Sequence, residues 1–109
     1  MPTLHSPAAQ VIGSRIRDAR RAQGITMEDL SELAEVSHAT VGKIERGVQS
    51  PSVETLIRLA AALEIEAGEV LRGVTVEDYG ASREHRYTVR DFKRAEAEHR
   101  ARKRREKSG

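Results

Sequence analysis

The chain has 109 residues, 38% of them hydrophobic and 33% charged, enough for one small domain with an appendage and too few for a second full core. No apolar run approaches the roughly 20 residues of a membrane span, and the start MPTLHSPAAQ lacks the basic-then-apolar pattern of a secretory signal, so a cytoplasmic protein with no membrane contact is expected. The absence of cysteine excludes disulfides, thiol catalysis and the usual structural zinc sites, and the net charge of +2 hides an uneven split: residues 1–82 carry eight Lys/Arg against twelve Asp/Glu, residues 83–109 eleven against five.

Apolar residues recur at helical spacing, and no stretch alternates as a half-buried strand does, which predicts an all-α fold. Residues 1–8 form a flexible N-terminus in this reading. A first helix is predicted from about Ala9 to Gln23, with Ile12, Ile16 and Ala19 on one stripe and Gly24 ending it. Thr26 reads as the N-cap of a second, with Glu28 and Asp29 in its first turn and Leu30, Leu33 and Ala34 facing inward. After Glu35-Val36, Ser37 caps a third helix that carries Val41 and Ile44 and stops at Gly47. The cluster Gln49-Ser50-Pro51-Ser52 is a turn, and Ser52 caps a fourth helix whose stripe is Val53, Leu56, Leu59, Ala60 and Leu63. A fifth, Ala67 to Leu71, closes the core, which is expected to end near Val76 because only Val89 and Phe92 follow among Leu, Ile, Val and Phe. In the charged tail Thr88 can cap a helix with Val89, Phe92 and Ala95 aligned, while the run from Glu96 to Lys107 is expected to fray or be disordered.

Two helices joined by a three- or four-residue turn define a helix-turn-helix, and residues 26–45 have that layout. The segment from Ile12 to Leu71 carries R-x-x-x-G-I-T, then L-x-x-x-A, then V-S-x-x-x-V-x-x-I-E-R-G, then P-S-x-x-T-L-x-x-L-A-x-A-L, in order. It resembles the Cro and lambda-repressor-like (XRE-type) helix-turn-helix family.

That resemblance implies a compact five-helix DNA-binding domain, here residues 9–76, followed by a basic extension over 77–109. It implies a homodimer on double-stranded DNA, with the third helix in the major groove. His38, Ala39, Thr40 and Lys43 match the base-facing positions. Thr26, Met27, Ser37, Arg46, Gly47 and Gln49 match positions that hold backbone phosphates. Arg20 and Glu45 match a structural pair that positions the third helix. Met27 and His38 stand where the family commonly has Gln, so the adenine-reading amides are missing and the base preference does not carry over. Glu35 stands where a left-handed glycine is usual, and Gly42 interrupts the recognition helix. Arg15, Arg17, Arg21, Lys43 and Arg46 are the cations available for a basic face.

The function expected is a transcriptional regulator, a repressor acting on an inverted repeat. Two other readings use the extension: an antitoxin-type regulator whose residues 77–109 dock on a protein partner, a toxin, or an RNA-binding or scaffold protein that works through the basic tail. An enzyme is not expected: His5, His38, His85 and His99 lack metal-ligand spacing, and no Gly-rich phosphate loop is present, so neither metal nor cofactor is implied.

Overall fold

In the computed structural model, which describes residues 6–80 and 87–108, the first four helices each begin on a hydroxyl that accepts a backbone N–H three residues on. They are α1 (Pro7–Ala22), α2 (Met27–Ala34), α3 (His38–Glu45) and α4 (Val53–Leu63), capped by Ser6, Thr26, Ser37 and Ser52; α5 (Ala67–Leu71), a 3-10 turn (Val76–Tyr79) and α6 (Val89–Ser108) follow. The described residues contain no strand, and the fold is all-α. No helix among them is long and apolar enough to cross a membrane.

α1 starts two residues before the predicted point. Ser6 Oγ accepts the Ala9 N–H at 3.0 Å, and Pro7 takes the first helical position, where its missing N–H costs nothing. Ala8 is therefore a buried helical residue, and residues 1–5 lie outside the described part. α2 and α4 both end on a glutamate in the left-handed region, Glu35 (φ 56°) and Glu64 (φ 56°). In both, the next residue reaches back to close the helix, Val36 N to Ser31 O at 3.1 Å and Ile65 N to Ala60 O at 3.0 Å. The left-handed geometry at Glu35 is thus kept without glycine, at a cost of about 1 kcal/mol.

Ile12, Ile16, Leu30, Ala34, Val41, Ile44, Leu56, Leu59, Leu63 and Val70 form one buried cluster. Two predicted core residues are exposed instead: Leu33 is 63% exposed and Val53 is 75% exposed. α2 has only two turns and buries the i, i+4 pair Leu30 and Ala34, so Leu33 turns outward; Val53 is the first residue of α4, ahead of the turn that meets the core. The core closes at Val70, with Val74 partly buried and Val76 already exposed.

α1 and α3 approach backbone to backbone. A Cβ placed on Gly13 would sit 2.0 Å from the Ile44 carbonyl oxygen, so only glycine fits there. The tail departs from its expected fraying: α6 is helical as far as Ser108. Thr88 opens it with a reciprocal cap, Asp91 N to Thr88 Oγ1 at 3.3 Å and Thr88 N to Asp91 Oδ2 at 3.0 Å. Ala95, Ala97 and Ala101 favour helix, and Glu96 faces Arg100 one turn on at 3.8 Å. Its side chains from Val89 to Lys107 are exposed apart from the half-buried Asp91, so the helix is sustained by local terms.

Gly13→Ala should destabilise the domain by about 3 kcal/mol, read from urea unfolding, because the backbones of α1 and α3 must part. Acid should act on the caps. The Thr88 N–H and hydroxyl hold the Asp91 carboxyl below its ordinary range, and the Thr26 N–H and hydroxyl do the same for Asp29. A lowered folded-state value means that the stabilisation is complete above the ordinary carboxylate value of about 4 and is lost as pH falls through the lowered one. Far-UV circular dichroism should show helix loss in that acid range, and Asp91→Ala should show the α6 part of that loss already at neutral pH.

Candidate nucleic-acid interface

The α2–turn–α3 unit is organised by what α3 buries. Val41, Gly42, Ile44 and Glu45 face the protein, which leaves His38, Ala39 and Lys43 exposed and Thr40 half-buried on the other side. Ala39 and Lys43 are one turn apart on a common face, with His38 in the first turn. Ser37 accepts the Thr40 N–H at 3.1 Å and donates its own proton to Thr40 Oγ1 at 2.7 Å, so its hydroxyl is engaged in the cap while the Thr40 hydroxyl keeps its proton to offer.

At the start of α2, Thr26 and Asp29 form a full capping box, 3.0 Å from Asp29 N to Thr26 Oγ1 and 2.9 Å from Thr26 N to Asp29 Oδ2. Thr26 therefore spends both its N–H and its hydroxyl on the Asp29 carboxylate; Met27, half-buried, is the first residue of the helix. At the far end of α3, Arg46 and Gln49 are exposed. Gly47 is buried with φ 76°, and a Cβ there would lie 2.9 Å from Gln10 Cα. Its N–H donates to Ile44 O and that of Val48 to Lys43 O, both at 3.0 Å. Gly47 supplies the tight turn beneath Arg46, with its donor already used.

Arg20 and Glu45 meet in bidentate geometry, Nε to Oε2 at 2.8 Å and Nη2 to Oε1 at 2.9 Å, with both side chains nearly buried. The Glu45 hydrogen bond raises the Arg20 pKa, so the guanidinium is permanently charged. Arg20 Nη1 also donates to Ile25 O at 2.9 Å, which ties α1, the approach to α2 and the end of α3 together.

Arg15 leaves the expected basic face. Its Nη1 bonds the carbonyls of Val70 at 2.9 Å and Arg72 at 2.7 Å, closing the end of α5. Gln23, at the end of α1, closes α4 by donating its side-chain amide to the Leu63 carbonyl at 2.6 Å. No local pattern marks either contact, since each joins residues 40 or more apart.

A two-turn helix on a capped turn, with its polar face free and its rear face locked to the first helix, is a helix-turn-helix module. The chain belongs to the helix-turn-helix family HTH_3, whose pattern matches residues 16–70. It is similar to the transcriptional regulator ClgR of Mycobacterium tuberculosis, with 39% identity over 62 residues, covering 57% of this chain and 55% of that one. Among solved structures it resembles the restriction-modification controller protein C.AhdI of Aeromonas hydrophila, with a TM-score of 0.55 and 35% identity over 57% of this chain and 94% of that one. It also resembles SinR in complex with DNA, with a TM-score of 0.54 and 33% identity over 55% of this chain and 97% of that one. The chain spans about half the length of the curated relatives it matches.

Removing either member of the Arg20–Glu45 pair strands a buried charge. Arg20→Ala or Glu45→Ala should each cost about 3–5 kcal/mol in urea unfolding, and Arg20→Leu combined with Glu45→Leu should recover most of that loss.

Proposed function

We propose that this protein is a sequence-specific regulator of transcription that binds double-stranded DNA as a homodimer and represses by occupying a promoter. The observation that carries the reading is the exposed face of α3, a polar helix face freed for contact by a rear face that is wholly buried. In this reading α3 enters the major groove. The His38 imidazole and the Thr40 hydroxyl hydrogen-bond base edges, Lys43 reaches guanine O6 or N7, and Ala39 packs against a thymine methyl. The start of α2 at Thr26 and Met27, through its backbone amides and helix dipole, and Arg46 and Gln49 at the far end of α3 hold the backbone. Ser37 acts by shaping the helix start and Gly47 by turning the chain under Arg46. The regulator ClgR and the SinR–DNA complex support the assignment through the shared module. Two copies related by a twofold axis would address half-sites about 34 Å apart.

The test is selection of sheared genomic DNA by the purified protein at near-physiological salt. Recovery of a short inverted repeat beside promoters is the expected result. Changing His38, Thr40 and Lys43 together to alanine should abolish preference for that repeat, a loss of at least tenfold in the specific-to-nonspecific ratio, while the helical signal stays intact. Uniform recovery that disappears with added salt, and is lost on deleting residues 87–109, would instead place the affinity in the basic extension.

A further inference from the structure

Two helices of this chain present apolar rows to solvent. On α6, Val89, Phe92 and Ala95 recur every three residues and are all exposed. Tyr87, just ahead of the helix, donates its hydroxyl to the Asp91 carbonyl at 3.2 Å, and together with Phe92, Ala95 and His99 it walls an open groove of about 410 Å³. An exposed aromatic row of this kind on a helix that buries nothing marks an interaction surface. On α4, Leu56, Leu59, Ala60 and Leu63 face the core, while Val53, Ile57 and Ala61, four residues apart, form an exposed row on the opposite side.

The two rows are opposite in charge and alike in length. The α4 row is bordered by Glu54 and ends at Glu64 and Glu66. Its one nearby cation, Arg58, is held between Glu54 at 3.0 Å and Glu35 at 3.3 Å, so Glu64 and Glu66 have no ion-pair partner among the described residues. The α6 row is bordered by Lys93 and runs on into His99, Arg100, Arg102 and Lys103. Glu64 comes eleven residues after Val53 and Arg100 eleven after Val89, about 16 Å along either helix. Laid parallel, the rows set apolar against apolar and the basic stretch against the acidic end. A row spaced by three fits the groove beside a row spaced by four, at a crossing angle of about 20°.

We infer that α6 of one copy packs along the outer row of α4 in a second copy, and that the exchange is reciprocal. The inference rests on the homodimer of the proposed function and supplies its interface. The occupant is a second copy because every chain carries both rows, so two identical contacts about a twofold axis cover all four and leave none open to a further chain. Charge excludes the self-pairings. Two α6 helices side by side set basic against basic, and two α4 rows set acidic against acidic.

The test uses the full chain without DNA. Sedimentation of the wild type should show a dimer, and Phe92→Glu or Ile57→Glu should each weaken it at least about thirtyfold with the helical signal intact, since both side chains are exposed. Val89→Asp and Val53→Asp form a second pair. Each replaces the first residue of its helix, where an acidic side chain favours the helix, so the fold is kept if the first pair disturbs it. Mixing decides which surfaces meet. The α4 amides of isotope-labelled Phe92→Glu protein should shift on adding unlabelled Ile57→Glu protein, which still has a working α6, and stay put on adding unlabelled Phe92→Glu protein. Loss of the dimer in Phe92→Glu alone would mean that α6 pairs with α6, and loss in Ile57→Glu alone that module pairs with module; either overturns the exchange. Loss in both with no shift on mixing overturns it too. A wild-type monomer would overturn the interface and the homodimer together and leave base recognition by α3 to the genomic selection. Failure of that selection, with the mixing shifts present, would overturn the DNA reading and leave the exchange standing.

Discussion

The contact of α1 with α3 at Gly13 and Ile44 is the constraint on which the rest of the molecule depends. A glycine with no room for a Cβ brings the two backbones together, and that approach seats Val41 and Ile44 in the core. It also sets Glu45 opposite Arg20. A buried ion pair is weak support for stability in itself, since desolvation offsets most of its attraction. Its worth here is geometric. Arg20 grips Glu45 and the Ile25 carbonyl together, so the angle between α2 and α3 is fixed by one side chain projecting from the first helix. The outer face of α3 then has no structural duty and is free for recognition.

Four arginines within two turns of α1 have separate employments. Arg15 reaches away to close α5, Arg20 turns inward to Glu45, and Arg17 and Arg21 line a cleft with Arg46. This sorting answers the difficulty posed by a net negative charge over residues 1–82. Affinity for a polyanion depends on the cations that can reach it, and here the arginines along one helix are distributed by tertiary contacts that a charge count does not register.

What could be read in the sequence, and what could not, divides along the same line. The caps at Thr26, Ser37, Ser52 and Thr88 depend on residues three apart, and the stripes through Ile12, Ile16, Leu56, Leu59 and Leu63 on helical periodicity, so both were legible. The left-handed Glu35 was legible through resemblance, because the position is defined by the motif and not by its side chain. Leu33 and Val53 were misassigned because periodicity reports a face and not how far the neighbouring helices extend over it. The roles of Gly13, Arg15 and Gln23 depend on partners 31 to 57 residues away, and no local signal exists for them. The early start of α1 was legible in principle, since Ser6-Pro7 is an N-cap followed by proline at the first helical position.

The helix α6 follows a different physical rule from the module before it. The module is held by burial, which salt affects little. From Val89 to Lys107 α6 buries no side chain fully and rests on alanines, a carboxylate cap and an exposed i, i+4 pair, the last two of which weaken with acid or ionic strength. Nine Lys/Arg against four Asp/Glu on that helix give it a sequence-independent attraction to any polyanion. If the chain binds DNA as proposed, the salt dependence would sum two contributions of different origin, phosphate contacts made by the packed module and diffuse neutralisation by α6. Only the first has defined geometry. Phosphate contacts fix register on a duplex while diffuse charge does not, so in the proposed complex the packed module would set how precisely α3 meets the bases, and α6 would add affinity without adding position.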